Sequence, residues 1–201
     1  SKKPRTSKKQ TDAAEQARRE VYASELFSTL NRTIFKDQLP NETKLNWNVR
    51  LLSTAGKAKW HRSRDGAHTT EIELATKILD CDERIRHTLA HEMCHLACWI
   101  IDGDPKEGHG RLFKAWAAKV ERKRNDIVVT TKHNYDITYP YEWKCQQCAK
   151  VYGRFSKSIR PDECVCGACK VGKLMPLFTQ RAPRTPKTTA NSRMATGQSQ
   201  G

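Results

Sequence analysis

The sequence contains no apolar run long enough to cross a bilayer. Its longest mostly apolar stretch, Leu96 to Ile101 with Cys94 just before it, falls far short of the ~20 residues a spanning helix needs, so a membrane-spanning role is excluded for this chain. No charged segment followed by an apolar stretch and a small-residue cleavage site opens it, and no secretory signal is expected. Because it starts at Ser1 without methionine, the chain is expected to be an excised portion of a longer protein. No repeat at a fixed period occurs. Acidic residues are missing from both ends. Residues 1–10 carry Lys2, Lys3, Arg5, Lys8 and Lys9, and residues 181–201 carry Arg181, Arg184, Lys187 and Arg193. Neither end has the apolar content to build a core, so 1–11 and 181–201 read as disordered basic tails.

What is present is positive charge and cysteine. Across 201 residues, 37 Lys and Arg stand against 22 Asp and Glu, a formal net charge of +15 that suits a polyanionic partner. The eight cysteines fall into two groups: Cys81, Cys94 and Cys98, then Cys145, Cys148, Cys164, Cys166 and Cys169. The second group holds Cys145-Gln-Gln-Cys148 and Cys166-Gly-Ala-Cys169, two C-x-x-C knuckles at the spacing of a zinc ribbon. Two thiolates on a tight knuckle reach one tetrahedral ion, and two knuckles complete its sphere. Cys164 is the alternative to Cys166. Thiols kept for metal imply a reducing, intracellular compartment.

The periodicities give an α+β chain, with a first domain over 12–140 and a cysteine module over 141–180. Asp12 with Glu15 resembles a capping box, and Tyr22, Ala23, Leu26, Phe27, Leu30 and Ile34 follow at helical spacing to Phe35 or Lys36, before Leu39-Pro40. Alternation over Leu45 to Leu52 predicts a strand. Gly56 to Arg62 and Thr69 to Ala75 predict two more, joined at Asp65-Gly66. Asp80 with Glu83 opens a second helix whose Ile85, Leu89, Leu96, Trp99 and Ile100 should pack on the sheet; Asp102-Gly103-Asp104-Pro105 closes it. A third helix, Arg111 to Arg124, turns Leu112, Phe113, Trp116 and Val120 inward.

The second helix carries His91-Glu92-Met93-Cys94-His95. Histidines at i and i+4 lie one turn apart and about 40° round the axis, so both imidazoles can bind one ion from the same side. A zinc with three protein ligands keeps a position for water, lowers its pKa toward ~7 and polarises a carbonyl oxygen. Glu92 is placed to act as general base toward that water and to protonate a departing amine. A metzincin continuation is excluded, because Cys98 and Ile101 stand where glycine and histidine would be needed. The third ligand comes from the loop after Gly103: His109 between two glycines, with Glu107 as runner-up. Cys94 and Cys98 read as buried small side chains. His61, His68, His87 and His133 lack comparable spacing and read as surface or structural.

These residues resemble the SprT-like metalloprotease family, in particular its germ-cell nuclear acidic protein branch and more distantly Spartan. The resemblance rests on His91-Glu92-Met93-Cys94-His95, Glu107-Gly108-His109-Gly110, Leu39-Pro40, the Trp47 to Gly56 run, and Ser156-Lys157-Ser158-Ile159 between the knuckles. It covers about Ala23 to Leu177. It implies a zincin-like protease domain of helices on a small three-stranded sheet, a C-terminal zinc ribbon, nuclear location, and DNA-dependent cleavage of proteins covalently trapped on DNA. By position it implies His91, His95 and His109 as catalytic-zinc ligands, Glu92 as general base, and Cys145, Cys148, Cys166 and Cys169 around a structural zinc. The acidic disordered region of that branch is absent here.

Aromatic residues interleave with basic ones in the cysteine module. Trp143 and Tyr152 beside Arg154 and Lys157 are the candidate DNA contacts, favouring single-stranded or distorted duplex DNA through stacking and phosphate pairing. A monomer is expected. Two rival readings remain: a zinc-dependent DNA-binding module without proteolysis, and a general metallopeptidase whose ribbon is a folding staple.

Overall fold

The computed structural model describes residues 8–62, 68–131 and 139–179. The chain divides into two compact units, Ser1–Ile137 and Thr138–Gly201. The Asp65-Gly66 turn, His133 and the tail over 181–201 lie outside the described residues, as do residues 1–7.

The first unit opens with helix α1, Lys8–Leu30, continued by one π-helical turn at Asn31–Phe35. The helix thus begins four residues before Asp12, inside the segment expected to be a tail. Asp12 does not cap it, and Glu15 pairs with Arg18 and Arg19 instead. Ala23, Leu26, Phe27 and Leu30 are buried as the spacing requires, and the wider π turn brings Asn31, Ile34 and Phe35 inward together. Left-handed Lys36 and Asp37, both at φ 56°, stop the helix well before Pro40. Asn31 then clamps the returning chain. Its amide donates to Leu39 O (2.9 Å) and Asn41 Oδ1 (3.1 Å), and its Oδ1 accepts from Leu39 N–H (3.2 Å). Asn31→Ala strands a buried N–H and C=O, and a loss of roughly 3 kcal/mol in urea unfolding is expected.

Three strands follow: β1, Lys44–Asn48; β2, Gly56–Arg62; β3, His68–Ala75. Their order is β1-β3-β2, with β1 parallel and β2 antiparallel to the central β3. Ile72 and Leu74 of β3 are fully buried. β1 stops four residues short of Leu52. Asn48 Oδ1 accepts the Arg50 N–H at 2.8 Å, and this local turn bond outweighs the apolar alternation beyond it, leaving Val49 and Leu52 exposed.

Helix α2, Asp82–Ile100, packs against α1, β2, β3 and the third helix, α3, Arg111–Lys123. Its N-cap is Cys81 rather than Asp80. Asp80 is engaged elsewhere, pairing with Arg84 and accepting from Arg19 through its carbonyl. Ile85, Leu89 and Leu96 are buried as expected, but so are Ala90, Met93, Cys94, Ala97 and Cys98. Small side chains there let neighbours close on nearly every side of α2. The helix ends as Ile101 and Asp102 N–H both return to Ala97 O, with Gly103 left-handed at φ 70°. In α3, Phe113, Trp116, Ala117 and Val120 face inward, and Leu112 is only half-buried. No helix among the described residues is long and apolar enough to cross a membrane.

The second unit is a three-stranded antiparallel sheet of β4 (Tyr141–Cys145), β5 (Val151–Arg154) and β6 (Leu174–Pro176), ordered β5-β4-β6. Its core is Trp143, Cys145, Cys166 and Leu174, with Tyr141, Tyr152, Ile159, Cys169 and Phe178 packed around it. So small a core needs a covalent or metal staple.

Candidate metal centres

A helix buried on nearly all sides admits polar side chains only where something compensates them, and α2 carries two such residues next to each other, His91 and Glu92. His91 and His95 stand one turn apart, and the loop after Gly103 brings His109 against them. His91 Nε2 lies 3.1 Å from both His95 Nε2 and His109 Nε2. Phe113 of α3 is a common floor, its ring centroid 4.7–4.8 Å from each of the three imidazoles. Helical spacing puts Phe113 on the inward face of α3 but carries no sign of its contact to all three rings.

The tautomer at His91 is set from behind. Its Nδ1 lies 2.8 Å from the Thr130 carbonyl, which can only accept, so Nδ1 carries the proton and Nε2 presents a lone pair. That single lone pair faces two further ring nitrogens. A cation satisfies all three together; tetrahedral zinc at Zn–N of about 2.0–2.1 Å would space the nitrogens by about 3.3 Å, close to what is seen. Burial lowers the His109 pKa, which keeps its imidazole in the neutral form a metal requires. The three histidines therefore form a donor set able to hold a metal ion.

Glu92 is 2% exposed and faces β2 rather than the imidazole cluster's floor. Burial pushes its carboxyl up to about 7, partly opposed by the Ala58 N–H, which donates to Oε2 at 2.8 Å. The strand can come this close because residue 56 is glycine. A Cβ there would meet Thr88 Cγ2 at 2.6 Å and Glu92 Cγ and Oε1 at 3.0 Å. Gly56→Ala is expected to cost roughly 1–3 kcal/mol in thermal unfolding by pushing β2 away from α2. A cleft of about 470 Å³ opens here, lined by Thr54, Gly56, Lys57, Glu92, His95 and Trp99 among others.

Glu107, the alternative third donor, stands outside the trio. Its Oε1 accepts the Leu112 and Phe113 N–H groups (2.8 and 3.3 Å), capping α3 from the preceding loop. Gly110 makes room for this, since a Cβ at that position would lie 2.6 Å from Oε1. Cys94 and Cys98 are buried and outside the cluster; burial pushes the Cys94 thiol far up and the Cys98 thiol to about 12, so both stay protonated. His61 is exposed on β2, His87 is half-buried on α2 with its Nε2 3.3 Å from the Asp126 carbonyl, and the side chain of His68 lies outside the described residues.

In the second unit the sulfurs of Cys145, Cys148, Cys166 and Cys169 converge. Cys145 and Cys169 are 3.7 Å apart, and Cys148 and Cys166 are 3.6 Å apart. A tetrahedron with Zn–S of about 2.3 Å has edges of about 3.8 Å, so the four fit one ion. Backbone N–H groups of Gln147 and Gly172 donate to Cys145 and Cys169 at 3.3 Å. The Tyr152 hydroxyl donates to Cys166 Sγ (3.1 Å) and accepts from Ala168 N–H (3.0 Å); with nearby backbone N–H groups it holds the Cys166 thiol down at about 6. Cys164 points elsewhere, its thiol donating to Arg160 O at 2.9 Å.

The proposed DNA contacts separate. Arg154 is exposed, and exposed Lys157 has its Nζ 5.6 Å from the Tyr141 and 5.3 Å from the Phe178 ring centroid. Trp143, expected to stack on a base, is instead 1% exposed and packed edge-on to Phe178 in the ribbon core, with no free face for a base. Tyr152 is half-buried with its hydroxyl committed to Cys166. Aromatic and basic residues interleave through β4 and β5, and that composition does not show which face is inward.

Residues 23–133, more than half of the chain, match the model of the SprT-like family. The chain is 40% identical over 158 residues to an HMG box-containing protein of Schizosaccharomyces pombe, covering 75% of this chain and 41% of that protein. It is 33% identical over 165 residues to the germ cell nuclear acidic protein of Homo sapiens (78% and 23%) and 32% over 149 residues to that of Drosophila melanogaster (74% and 14%). The chain thus spans less than half the length of these relatives. With a histidine trio beside a buried glutamate, and a family match over the unit that holds them, this chain belongs to the SprT-like family.

Proposed function

We propose that this chain is the catalytic part of a nuclear, DNA-dependent zinc metalloendopeptidase that cleaves proteins covalently crosslinked to DNA. One observation carries the hydrolytic reading: three imidazole nitrogens meet at a point beside a buried carboxyl, at the edge of an open cleft. In this zincin-like arrangement His91, His95 and His109 hold a catalytic zinc, and Cys145, Cys148, Cys166 and Cys169 hold a structural one. Zinc bound at the histidine trio would supply a Lewis acid able to polarise a peptide carbonyl and acidify a water. Glu92 takes the proton from that attacking water and delivers it to the departing amine. A carboxyl already destabilised as an anion by burial is suited to holding a proton between those two steps. The Ala58 N–H fixes Oε2, and Thr130 O fixes the His91 ring.

DNA dependence is supported by the ribbon's exposed Arg154 and Lys157, by the overall +15 charge, and by the names of the relatives, one carrying an HMG box and others called nuclear. Trp143 and Tyr152 shape the ribbon that presents those cations. Tethering to DNA raises the local concentration of a crosslinked substrate, so little side-chain selectivity is needed. The test incubates a DNA-crosslinked protein and its free form with wild type and Glu92→Gln, with and without DNA. Cleavage of the crosslinked form alone, stimulated by DNA and weakened by salt, is expected. Cleavage of free protein without DNA would favour a general peptidase, and none under any condition a binding module.

A further inference from the structure

Six cations of the first unit are held by acidic neighbours. Arg18 pairs with Glu15 and Asp82, Arg19 with Glu15, Lys59 with Glu71 and Glu73, and Arg84 with Asp80; Arg86 and Arg124 share Asp126. Helix α3 instead gathers four exposed cations on one face. At 100° per residue, Arg111, Lys114, Lys119 and Arg122 fall on the side opposite Phe113, Ala117 and Val120. All four are exposed, and none is in an ion pair among the described residues. Between them stand only Ala115 and Ala118, both exposed and too short to hold a partner off. The helix's one acid, Glu121, is turned to the Val129 N–H, whose donated bond it accepts at 2.9 Å.

We infer that the outer face of α3 is a binding surface for the phosphate backbone of duplex DNA, separate from the ribbon. The row from Arg111 to Arg122 is about 16 Å long, the rise of about five phosphates on one strand of a duplex. Duplex is favoured over single strand because this face has cations without a stacking platform. Phe113 is inward, and the Trp116 ring is covered by Lys119 Nζ at 3.7 Å. The inner face of the same helix floors the histidine trio. A duplex lying on α3 would therefore run about one helix diameter, ~10 Å, from the proposed hydrolytic centre. The inference rests on the DNA-dependent reading for its purpose, but its test does not need proteolysis.

The experiment measures binding of the zinc-loaded full chain to a fluorescent duplex and to a single strand across a salt series. Lys114→Glu with Arg122→Glu is compared with Lys44→Glu and Arg50→Glu, an equal charge change at exposed sites elsewhere. Zinc content and melting temperature are read for both. The α3 pair is expected to lower duplex affinity at least tenfold and to reduce the slope of log K against log salt by about 2, with single-strand affinity within twofold of wild type. An unchanged duplex slope would overturn the inference. So would equal losses in both double variants, or a loss of single-strand affinity as large as that for the duplex.

Discussion

Glu92→Gln is expected to reduce cleavage of a DNA-crosslinked protein by 10²- to 10⁴-fold, the range lost when a positioned general base is removed, while zinc content stays at the wild-type level. Gln keeps a carbonyl oxygen for the Ala58 N–H, so β2 has no reason to move. The same substitution has a second signature in zinc-stripped protein. With its folded pKa raised from 4.5 to about 7, Glu92 favours folding fully below pH 4.5, and that contribution is lost as pH rises through 7. Glu92→Gln should therefore raise the stability of the zinc-free protein by about 3 kcal/mol at pH 8 and by little at pH 4.5. Urea unfolding at the two pH values measures the difference. A variant less stable at pH 8 would mean that the carboxyl is not the buried, destabilised group described above.

Cys166→Ser should lose one of two zinc equivalents and the folded ribbon with it. A structural zinc contributes on the order of 10–16 kcal/mol to a small module, far more than Trp143, Leu174 and their neighbours can supply by burial. The effect should stay within the second unit, with the histidine trio keeping its ion. Single-strand DNA affinity should fall at least tenfold, because Arg154 and Lys157 lose their scaffold. Cys164→Ser is the matched control: its thiol donates to the Arg160 carbonyl and stands outside the four-sulfur cluster, so zinc content and affinity should not change. Elemental analysis with a binding titration reads both, and zinc loss in Cys164→Ser would reverse the assignment.

Much of this was legible because helices and knuckles write their geometry into spacing. His95 follows His91 by four positions, which puts them one above the other on any helix, and the C-x-x-C pairs are local in the same way. The bounds of β2 coincide with the Gly56 to Arg62 run, and α3 lies within a residue of its expected end. What spacing could not convey was competition between local bonds. Asp12 and Asp80 each stand three residues before a glutamate, yet both helices start elsewhere, since nearby arginines hold Glu15 and Asp80. Asn48 ended β1 against a continuing alternation. The choice between His109 and Glu107 depended on tertiary contacts. Glu107 sits in the same loop, but the α3 N-terminus offers unpaired N–H groups and takes its carboxylate. Contacts made by backbone atoms, Thr130 O to His91 and Ala58 N–H to Glu92, left no mark in residue type at all.

Anomalous diffraction at the zinc edge from crystals of the full chain addresses the central claim most directly. The account predicts one peak about 2.0–2.1 Å from the Nε2 atoms of His91, His95 and His109, with its fourth position open to solvent, and a second inside the four sulfurs. No density between the imidazoles, or a fourth side chain closing that sphere, would contradict it.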